Sequence, residues 1–493
     1  MESSKTLSEL AKAVQGNVVG IPETRVHDVT HDSREAGPGT IFVAIRGADH
    51  DGHDYVDQAT QAGAAAVCVE RRVASDVSQL VVRNTRDILG ELAAEVHGHP
   101  SQTVDVIGVT GTNGKTTVTH YLESLLGMSG FNTGIIGTIA SRIGSESLTS
   151  VRTTPEASDF QRLLARMRDS GIAKAAVEVS SHALALRRVD GTRFAVAAFT
   201  NLSRDHLDFH GSMERYRDAK ARLFRDFEIG TAVFNIDDAM GRSLSTAFEG
   251  QQLTVGSGGD YEVIDIEPAP SGTGFQLLTP HGMFEGSAAV HGRFNVSNLV
   301  VAFAASVAAG AATEDLIDHL GDIGPVPGRF EIVSGEGEPT VVVDYAHTPD
   351  GIAMAVATGR AMTSGKLIAV FGAGGDRDRA KRPLMGRAAS SADVLVVTSD
   401  NPRSEDPDRI IEDVMEGVTT GATRQRDRRR AIAEAIGMAL PGDVVLILGK
   451  GHEPGQEIGG LVTPFDDRET ARESLKLLRK STNNRSDSGS MGP

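Results

Sequence analysis

The densest chemistry in the chain lies in Gly108-Val-Thr-Gly-Thr-Asn-Gly-Lys-Thr-Thr117. The apolar stretch Val104-Asp-Val-Ile-Gly-Val109 leads into it and reads as a strand. Val118, Tyr121, Leu122 and Leu125 follow at the spacing of one helix face. A glycine-rich turn between strand and helix suits phosphate. Glycines let backbone N–H groups approach phosphate oxygens closely, and the helix N-terminus adds partial positive charge. Lys115 would reach the terminal phosphates, and Thr116 would ligate Mg2+. The strict motif has glycine six residues before the lysine, where this chain has Val109. The spacing Gly111-x-x-Gly114-Lys115-Thr116 is a tighter variant.

Two later segments can complete a metal site. Glu178, in Glu178-Val-Ser-Ser-His182, ends an apolar strand. A carboxylate there faces the carboxyl edge of a sheet, where ligands bind in such folds. The run Asn201-Leu-Ser-Arg-Asp-His-Leu-Asp-Phe-His210 gathers two histidines and two aspartates. Alone, each segment is also consistent with a solvated polar face. Beside a phosphate loop on the same predicted sheet edge, they predict Mg2+ ligation by oxygen donors.

These side chains need sheets to hold them. The 493 residues suggest roughly three domains. Residues 1–100 read as a small α/β unit, with strands at Ile41–Ile45 and Ala65–Val69. The pattern resets near Pro100. Val104–Val109, Ala175–Val179, Val196–Phe199 and Ala232–Ile236 then alternate with helical segments, which predicts a mostly parallel sheet. The glycine-rich stretch from about 250 to 292 predicts an antiparallel insertion. Leu299–Ala312 is too short for a membrane span and reads as a buried helix. After Pro325-Val-Pro-Gly328, strands at Thr340–Val343, Leu367–Phe371, Val394–Val397 and Val444–Leu448 predict a second doubly wound domain. The expected class is therefore α/β: a small N-terminal α/β domain (1–100), a central P-loop ATPase-like parallel-sheet domain (101–328), a C-terminal Rossmann-like domain (329–480) and a disordered polar tail (481–493).

Composition removes other functions. There are 49 Lys and Arg against 66 Asp and Glu, a formal charge of −17, so the surface is wrong for nucleic acid. Tryptophan is absent and aromatics are 4%, too few for base-stacking platforms. The single cysteine, Cys68, rules out an intrachain disulfide and a thiolate zinc site, and it reads as a core residue. The N-terminus has no apolar h-region, so the protein is expected to be soluble and cytoplasmic, with no membrane partner.

Six segments in order along nearly the whole chain resemble the Mur ligases, ATP-dependent enzymes that build the peptide stem of bacterial peptidoglycan. They are Gly111-Thr-Asn-Gly-Lys-Thr-Thr117, Glu178-Val-Ser-Ser-His182, Asn201-Leu-Ser-Arg-Asp-His206, His291-Gly-Arg-Phe-Asn295, Pro327-Gly-Arg-Phe-Glu331 and Asp344-Tyr-Ala-His-Thr-Pro349. His31-Asp-Ser-Arg34, Gly39–Gly47 and Ser399-Asp-Asn-Pro-Arg403 resemble the member that joins a diamino acid to UDP-N-acetylmuramoyl-L-alanyl-D-glutamate. The Asp-Asn-Pro-Arg form resembles the version that selects meso-diaminopimelate.

The resemblance implies roles residue by residue. Gly111, Thr112, Asn113, Gly114, Lys115, Thr116, Thr117, Asn295, Arg329 and Asp344 match ATP-contacting positions. His31, Ser33, Thr153, Thr154, Ser181 and Arg188 match contacts to the UDP-muramoyl peptide. Arg377, Asp400, Asn401, Arg403, Gly449 and Glu453 match the diaminopimelate pocket. Lys115, His206 and Lys220 match catalytic positions, with Lys220 carbamylated. Thr116, Glu178, His206 and Lys220 match the holders of two Mg2+ ions. The chain departs from many relatives at Leu186, where they carry glutamine. A monomer acting on small molecules is expected. The alternatives are the same ligase using L-lysine, a folyl-polyglutamate synthetase, or a nucleotide-binding module without catalysis. Arg403 argues against lysine, which has no distal carboxylate for it to hold, and the N-terminal domain fits the synthetase poorly.

Overall fold

The computed structural model describes residues 4–47, 50–148, 152–269 and 271–488, with side chains described up to 480. The chain divides into two compact units. One comprises residues 1–201, 217–262 and 299–319; the other comprises 202–216, 263–298 and 320–493.

The first unit holds two sheets. The N-terminal sheet has five strands in the order Asn17–Val19, Ser78–Val81, Ala66–Val69, Thr40–Val43 and Asp28–Thr30. All but the first pairing are parallel. Its two faces carry separate apolar clusters, one including Leu10, Ile41, Cys68 and Leu92, the other Phe42, Val56 and Val67. Cys68 is fully buried, and burial pushes its thiol up, as its reading as a core residue predicts.

The larger sheet has eight strands. Asp105–Thr110 lies at its centre, parallel to Lys174–Glu178 on one side and Phe194–Phe199 on the other. The chain leaves Asp105–Thr110, builds one side of the sheet, then returns to build the other. The phosphate loop therefore follows the strand at which the order reverses, a crevice-forming position in open α/β sheets. Five of the six residues of that strand are buried, so it reads as an apolar run without alternation.

The expectation of an antiparallel insertion from about 250 needs correction. Gln251–Val255 is the parallel edge strand of the eight-stranded sheet, paired with Ile229–Asn235. The three-stranded sheet starts later, with Glu262–Ala269, Gly272–Thr279 and Gly282–Ala288. The glycines around 256–259 turn the chain between the two. The apolar run near 299 lies in the helix Arg293–Ala308, whose residues from Leu299 to Ala305 are buried.

In the second unit, six strands run in the order Glu331–Ile332, Thr340–Asp344, Val444–Leu448, Leu367–Phe371, Val394–Val397 and Ala422–Arg424. The first pairs antiparallel and the rest parallel. Helices cover both faces over two apolar clusters, one including Phe371, Met385 and Leu446, the other Val370, Ile432 and Ile447. The last helix runs Asp467–Ser488, so ordered backbone enters the stretch expected to lack structure; residues 489–493 lie outside the described residues. Among the described residues, no helix is long and apolar enough to cross a membrane.

Candidate active site

The phosphate loop is fixed by its neighbouring strand. After Thr110 the chain turns at Gly111, with φ +152°. A Cβ there would lie 1.9 Å from Thr200 Oγ1, so no side chain fits. Thr200 and Asn201 then take up the loop's polar groups. Thr112 N donates to Asn201 O at 2.8 Å and Asn113 N to Asn201 Oδ1 at 2.9 Å. Thr200 Oγ1 donates to Asn113 O at 2.6 Å. The helix Lys115–Met128 starts on Gly114 at φ +87°, with no side chain capping it. A helix N-terminus of this kind favours an anion through its partial positive charge.

Two lysines converge on the loop. Lys115 Nζ donates to Gly111 O and Thr112 O, each at 2.9 Å. Lys220 Nζ, only 1% exposed, donates to the same Gly111 carbonyl at 2.6 Å. Lys220 sits on the helix Met213–Arg225, and a lysine so buried is rare unless paired.

Glu178 ends its strand as expected and is buried. It accepts from Thr116 Oγ1 at 2.9 Å, Thr138 N at 2.7 Å and Thr138 Oγ1 at 3.0 Å. Among the described residues its partners are neutral donors. A buried carboxylate beside a threonine hydroxyl is an oxygen donor set of the kind that fits a divalent cation such as Mg2+. No cluster of three or more metal-capable side chains exists among the described residues. Thr138, in the loop after Thr133–Ile136, was missed because nothing in that short run marks it.

The residues assigned to the muramoyl peptide all lie in the first unit, and Thr153, Thr154 and Arg188 are linked through Thr138 and Glu178. Thr154 Oγ1 donates to Glu178 O at 2.7 Å, and Thr153 Oγ1 meets Thr138 Oγ1 at 3.0 Å. Arg188 donates to Thr154 O at 3.3 Å and pairs with Glu156 at 2.9 Å. Ser181 begins a short helix and is buried. His31 Nδ1 meets Ser158 Oγ at 2.9 Å, and Ser33 Oγ donates to Gln58 Oε1 at 2.9 Å. At Leu186, the backbone carbonyl accepts from Arg86 at 3.3 Å.

The second unit carries the remaining positions. His206 lies 3.3 Å from Asp205, whose carboxylate also meets Lys381 Nζ at 3.0 Å and His347 at 3.5 Å. Burial opposes ionisation of Asp205, but His347, Lys381 and His206 outweigh it and hold the carboxyl well below the usual range. Asp344 is pushed the other way by burial, although Arg329 and backbone donors pull against it. Its oxygens accept from Phe330 N at 2.7 Å and Ala346 N at 2.8 Å. The Arg329 guanidinium lies 4.4 Å from the centre of the Tyr345 ring. Asn295 Nδ2 donates to His291 O at 3.0 Å.

The positions expected to hold the amino acid all follow the carboxyl ends of parallel strands, where ligands bind in such folds. Arg377 follows Leu367–Phe371, Asp400 to Arg403 follow Val394–Val397, and Gly449 and Glu453 follow Val444–Leu448. Asn401 Nδ2 donates to Glu453 Oε2 at 2.8 Å. Gly449 has φ +121°, and a Cβ there would lie 2.5 Å from Asp400 Oδ2. Arg403 is held at φ +53°, which costs a non-glycine residue energy. The hairpin Gly455–Ile458/Leu461–Pro464 imposes it: Arg403 N donates to Glu457 O at 3.1 Å and Gly459 N to Arg403 O at 2.7 Å. Its guanidinium donates to Gly375 O at 2.6 Å, tying the loop of Arg377 to the loop of Asn401. Beneath them, Arg428 donates to Ser399 O at 3.4 Å and Leu448 O at 3.0 Å, and pairs with Asp467 at 2.6 Å, both side chains fully buried.

Comparison with known proteins agrees in extent and order. Residues 109–306 match the Mur ligase middle domain, 328–451 the Mur ligase glutamate ligase domain, and 25–97 the Mur ligase family catalytic domain. A protein of Aquifex aeolicus named UDP-N-acetylmuramoyl-L-alanyl-D-glutamate–2,6-diaminopimelate ligase is 44% identical over 92% of this chain and 94% of its own length. A solved structure under the same name is 32% identical, with TM-score 0.68, over 97% of this chain and 100% of that one. The MurF ligase from Thermotoga maritima in complex with ADP, 22% identical over 93% of this chain and 99% of that one, shares the fold at TM-score 0.65. The chain belongs to the Mur ligase family.

Proposed function

We propose that this chain is the ATP-dependent ligase that joins meso-diaminopimelate to UDP-N-acetylmuramoyl-L-alanyl-D-glutamate in peptidoglycan precursor synthesis. The observation that carries the reading is the loop Ser399–Arg403, which joins Asn401 to Glu453 and Arg403 to the loop of Arg377. Two carboxylates and an ammonium on one amino acid call for such a set. Arg377 and Arg403 suit carboxylates, and Asp400 and Glu453 suit the ammonium.

A carboxylate is a poor electrophile. Its oxygen attacks the γ-phosphorus of ATP, ADP leaves, and an acyl phosphate forms. The amine of diaminopimelate attacks that carbonyl, loses a proton, and phosphate is expelled from the tetrahedral intermediate. The protein's part is positioning and charge neutralisation. Lys115 and the uncapped start of its helix face the phosphates. Gly111, Thr112, Asn113, Gly114, Thr116 and Thr117 offer the loop, and Asn295, Arg329 and Asp344 the remaining ATP contacts. Thr153, Thr154, Ser181, Arg188, His31 and Ser33 hold the muramoyl peptide and its nucleotide. Thr116, Glu178, His206 and a carbamylated Lys220 would hold two Mg2+ ions, which when bound neutralise phosphate charge. Carbamylation would turn Lys220 from a cation into an oxygen donor.

The same reading assigns 1–100 to UDP binding, 101–328 to ATP and 329–480 to the amino acid, in a cytoplasmic monomer. Phosphate release tests it. Turnover of ATP should require both UDP-MurNAc-dipeptide and a diamino acid. Turnover without the amino acid would point instead to a nucleotide-binding module of another kind.

A further inference from the structure

Lys450 has no exposed surface. A lysine is almost never that buried unless paired. Its Nζ donates to Asn401 Oδ1 at 2.9 Å and to Glu453 Oε2 at 3.0 Å. Both acceptors belong to the pocket assigned to the diamino acid. Asn401 Oδ1 takes a second bond, from Glu457 N at 3.0 Å, while Asn401 Nδ2 donates to Glu453 Oε2 at 2.8 Å. Lysine, amide and carboxylate thus close a ring.

The ring leaves one arrangement. An amide oxygen accepts and its nitrogen donates. Two donors, one of them cationic, meet Asn401 Oδ1, so a reversed amide would set NH2 against both. Glu453 takes both side-chain bonds on Oε2, which fixes the direction of its carboxylate. The ammonium also offsets the Glu453 charge, so this carboxylate and Asp400 do not both face the ligand uncompensated. The loops Ser399–Arg403 and Gly449–Glu453 follow different strands, and Lys450 joins them by side-chain bonds.

We propose that Lys450 is a positioning residue for the amino-acid pocket, setting the Asn401 amide and the Glu453 carboxylate in the orientation that receives the diamino acid. This rests on the pocket reading above. Charged hydrogen bonds lost from such a ring weaken binding of the ligand it orients while leaving the nucleotide loop untouched.

The test uses the full chain and amino-acid-dependent phosphate release. Lys450→Met keeps the length of the stem and removes the charge. It should raise the diaminopimelate KM roughly tenfold or more, with the ATP KM within about twofold of wild type. Lys450→Arg, which keeps a charge and donors, should recover part of the loss. Acting through Asn401, Lys450→Met should add little to Asn401→Ala in the double variant. A folded Lys450→Met with ordinary diaminopimelate KM overturns the inference, as does an equal rise in the ATP KM or simple additivity with Asn401→Ala. If Lys450→Met does not fold, Lys450→Gln carries the same outcomes. A wild-type enzyme indifferent to diamino acids overturns the pocket reading and this inference together. Wild type dependent on diaminopimelate, beside a normal Lys450→Met, overturns the inference alone.

Discussion

The loop Gly111–Thr117 and the proposed amino-acid pocket are built from different materials. Gly111–Thr117 is contiguous, its carbonyls accept from Lys115 and Lys220, and Thr200 and Asn201, just after the neighbouring strand, pin it. The pocket is assembled from three loops after three strands. Buried ions stand behind it: Lys450 bonds the Asn401 and Glu453 side chains, and Arg428, paired with Asp467, bonds the Ser399 and Leu448 carbonyls. A buried ion pair contributes little net stability, yet removing one partner is costly because the other charge is left buried. The nucleotide loop is thus set by backbone conformation, and the pocket by a side-chain network.

The difference predicts where substitutions strike. The largest effect belongs to the loop. Lys115→Ala removes the loop's own cation where charge develops, so turnover should fall by roughly a hundredfold to a thousandfold or more, with the fold intact. Near-normal phosphate release from the folded variant would break the assignment of the loop. Lys220→Ala should be nearly as severe, and bicarbonate should not restore it. Partial rescue by a short carboxylic acid that fills the vacated space would sharpen the carbamate reading. Full activity of the Ala variant would make Lys220 a packing residue.

In the pocket the effect should fall on one substrate. Arg403→Ala removes a fork for the distal carboxylate, and the diaminopimelate KM should rise roughly a hundredfold, while the ATP KM stays nearly unchanged. Arg403→Lys should recover part of the loss, because an ammonium cannot make the planar pair. Steady-state kinetics with each substrate varied would separate the two regions. Equal changes in both Michaelis constants would erase the contrast.

The smallest effect is a pH dependence of the scaffold beneath the pocket. Two N–H bonds from Arg382 hold the Glu405 carboxyl down to about 2, against the opposing effect of burial, with help from Asp376 N and Arg379. The folded value lies below the ordinary 4.5. Its stabilisation is therefore present above that pH and is lost as pH falls from about 4.5 through about 2. Glu405→Gln should lower the denaturation midpoint at neutral pH and flatten its acid decline. An unchanged acid limb would remove Glu405 from the scaffold.

The same contrast explains what the sequence disclosed. The placement of Lys115, Thr116 and Glu178 was legible because strand, turn and helix are local: Glu178 closes an apolar strand, and Lys115 and Thr116 open the helix after a glycine-rich turn. The parallel strands were legible for the same reason. Gln251–Val255 was not, since its polar half and the following glycines resemble a hairpin more than a sheet edge. Thr133–Ile136 carries only two apolar side chains, and Ala422–Arg424 is three residues long and mostly polar, so neither marks a strand. Pocket positions followed from family resemblance and not from spacing, because their partners come from distant loops. Lys450, between two glycines, looks solvated in sequence and is fully buried in the fold. Lys381 and His347 around Asp205 are hidden similarly.

The most direct measurement offers the enzyme ATP, Mg2+ and UDP-MurNAc-dipeptide with equal amounts of meso-diaminopimelate and L-lysine, and weighs the nucleotide product by mass spectrometry. Selection of diaminopimelate by the proposed pocket predicts a product heavier by one diaminopimelyl residue, with lysine incorporation lower by roughly a hundredfold or more. A lysyl product in excess, or equal incorporation of the two, would contradict it.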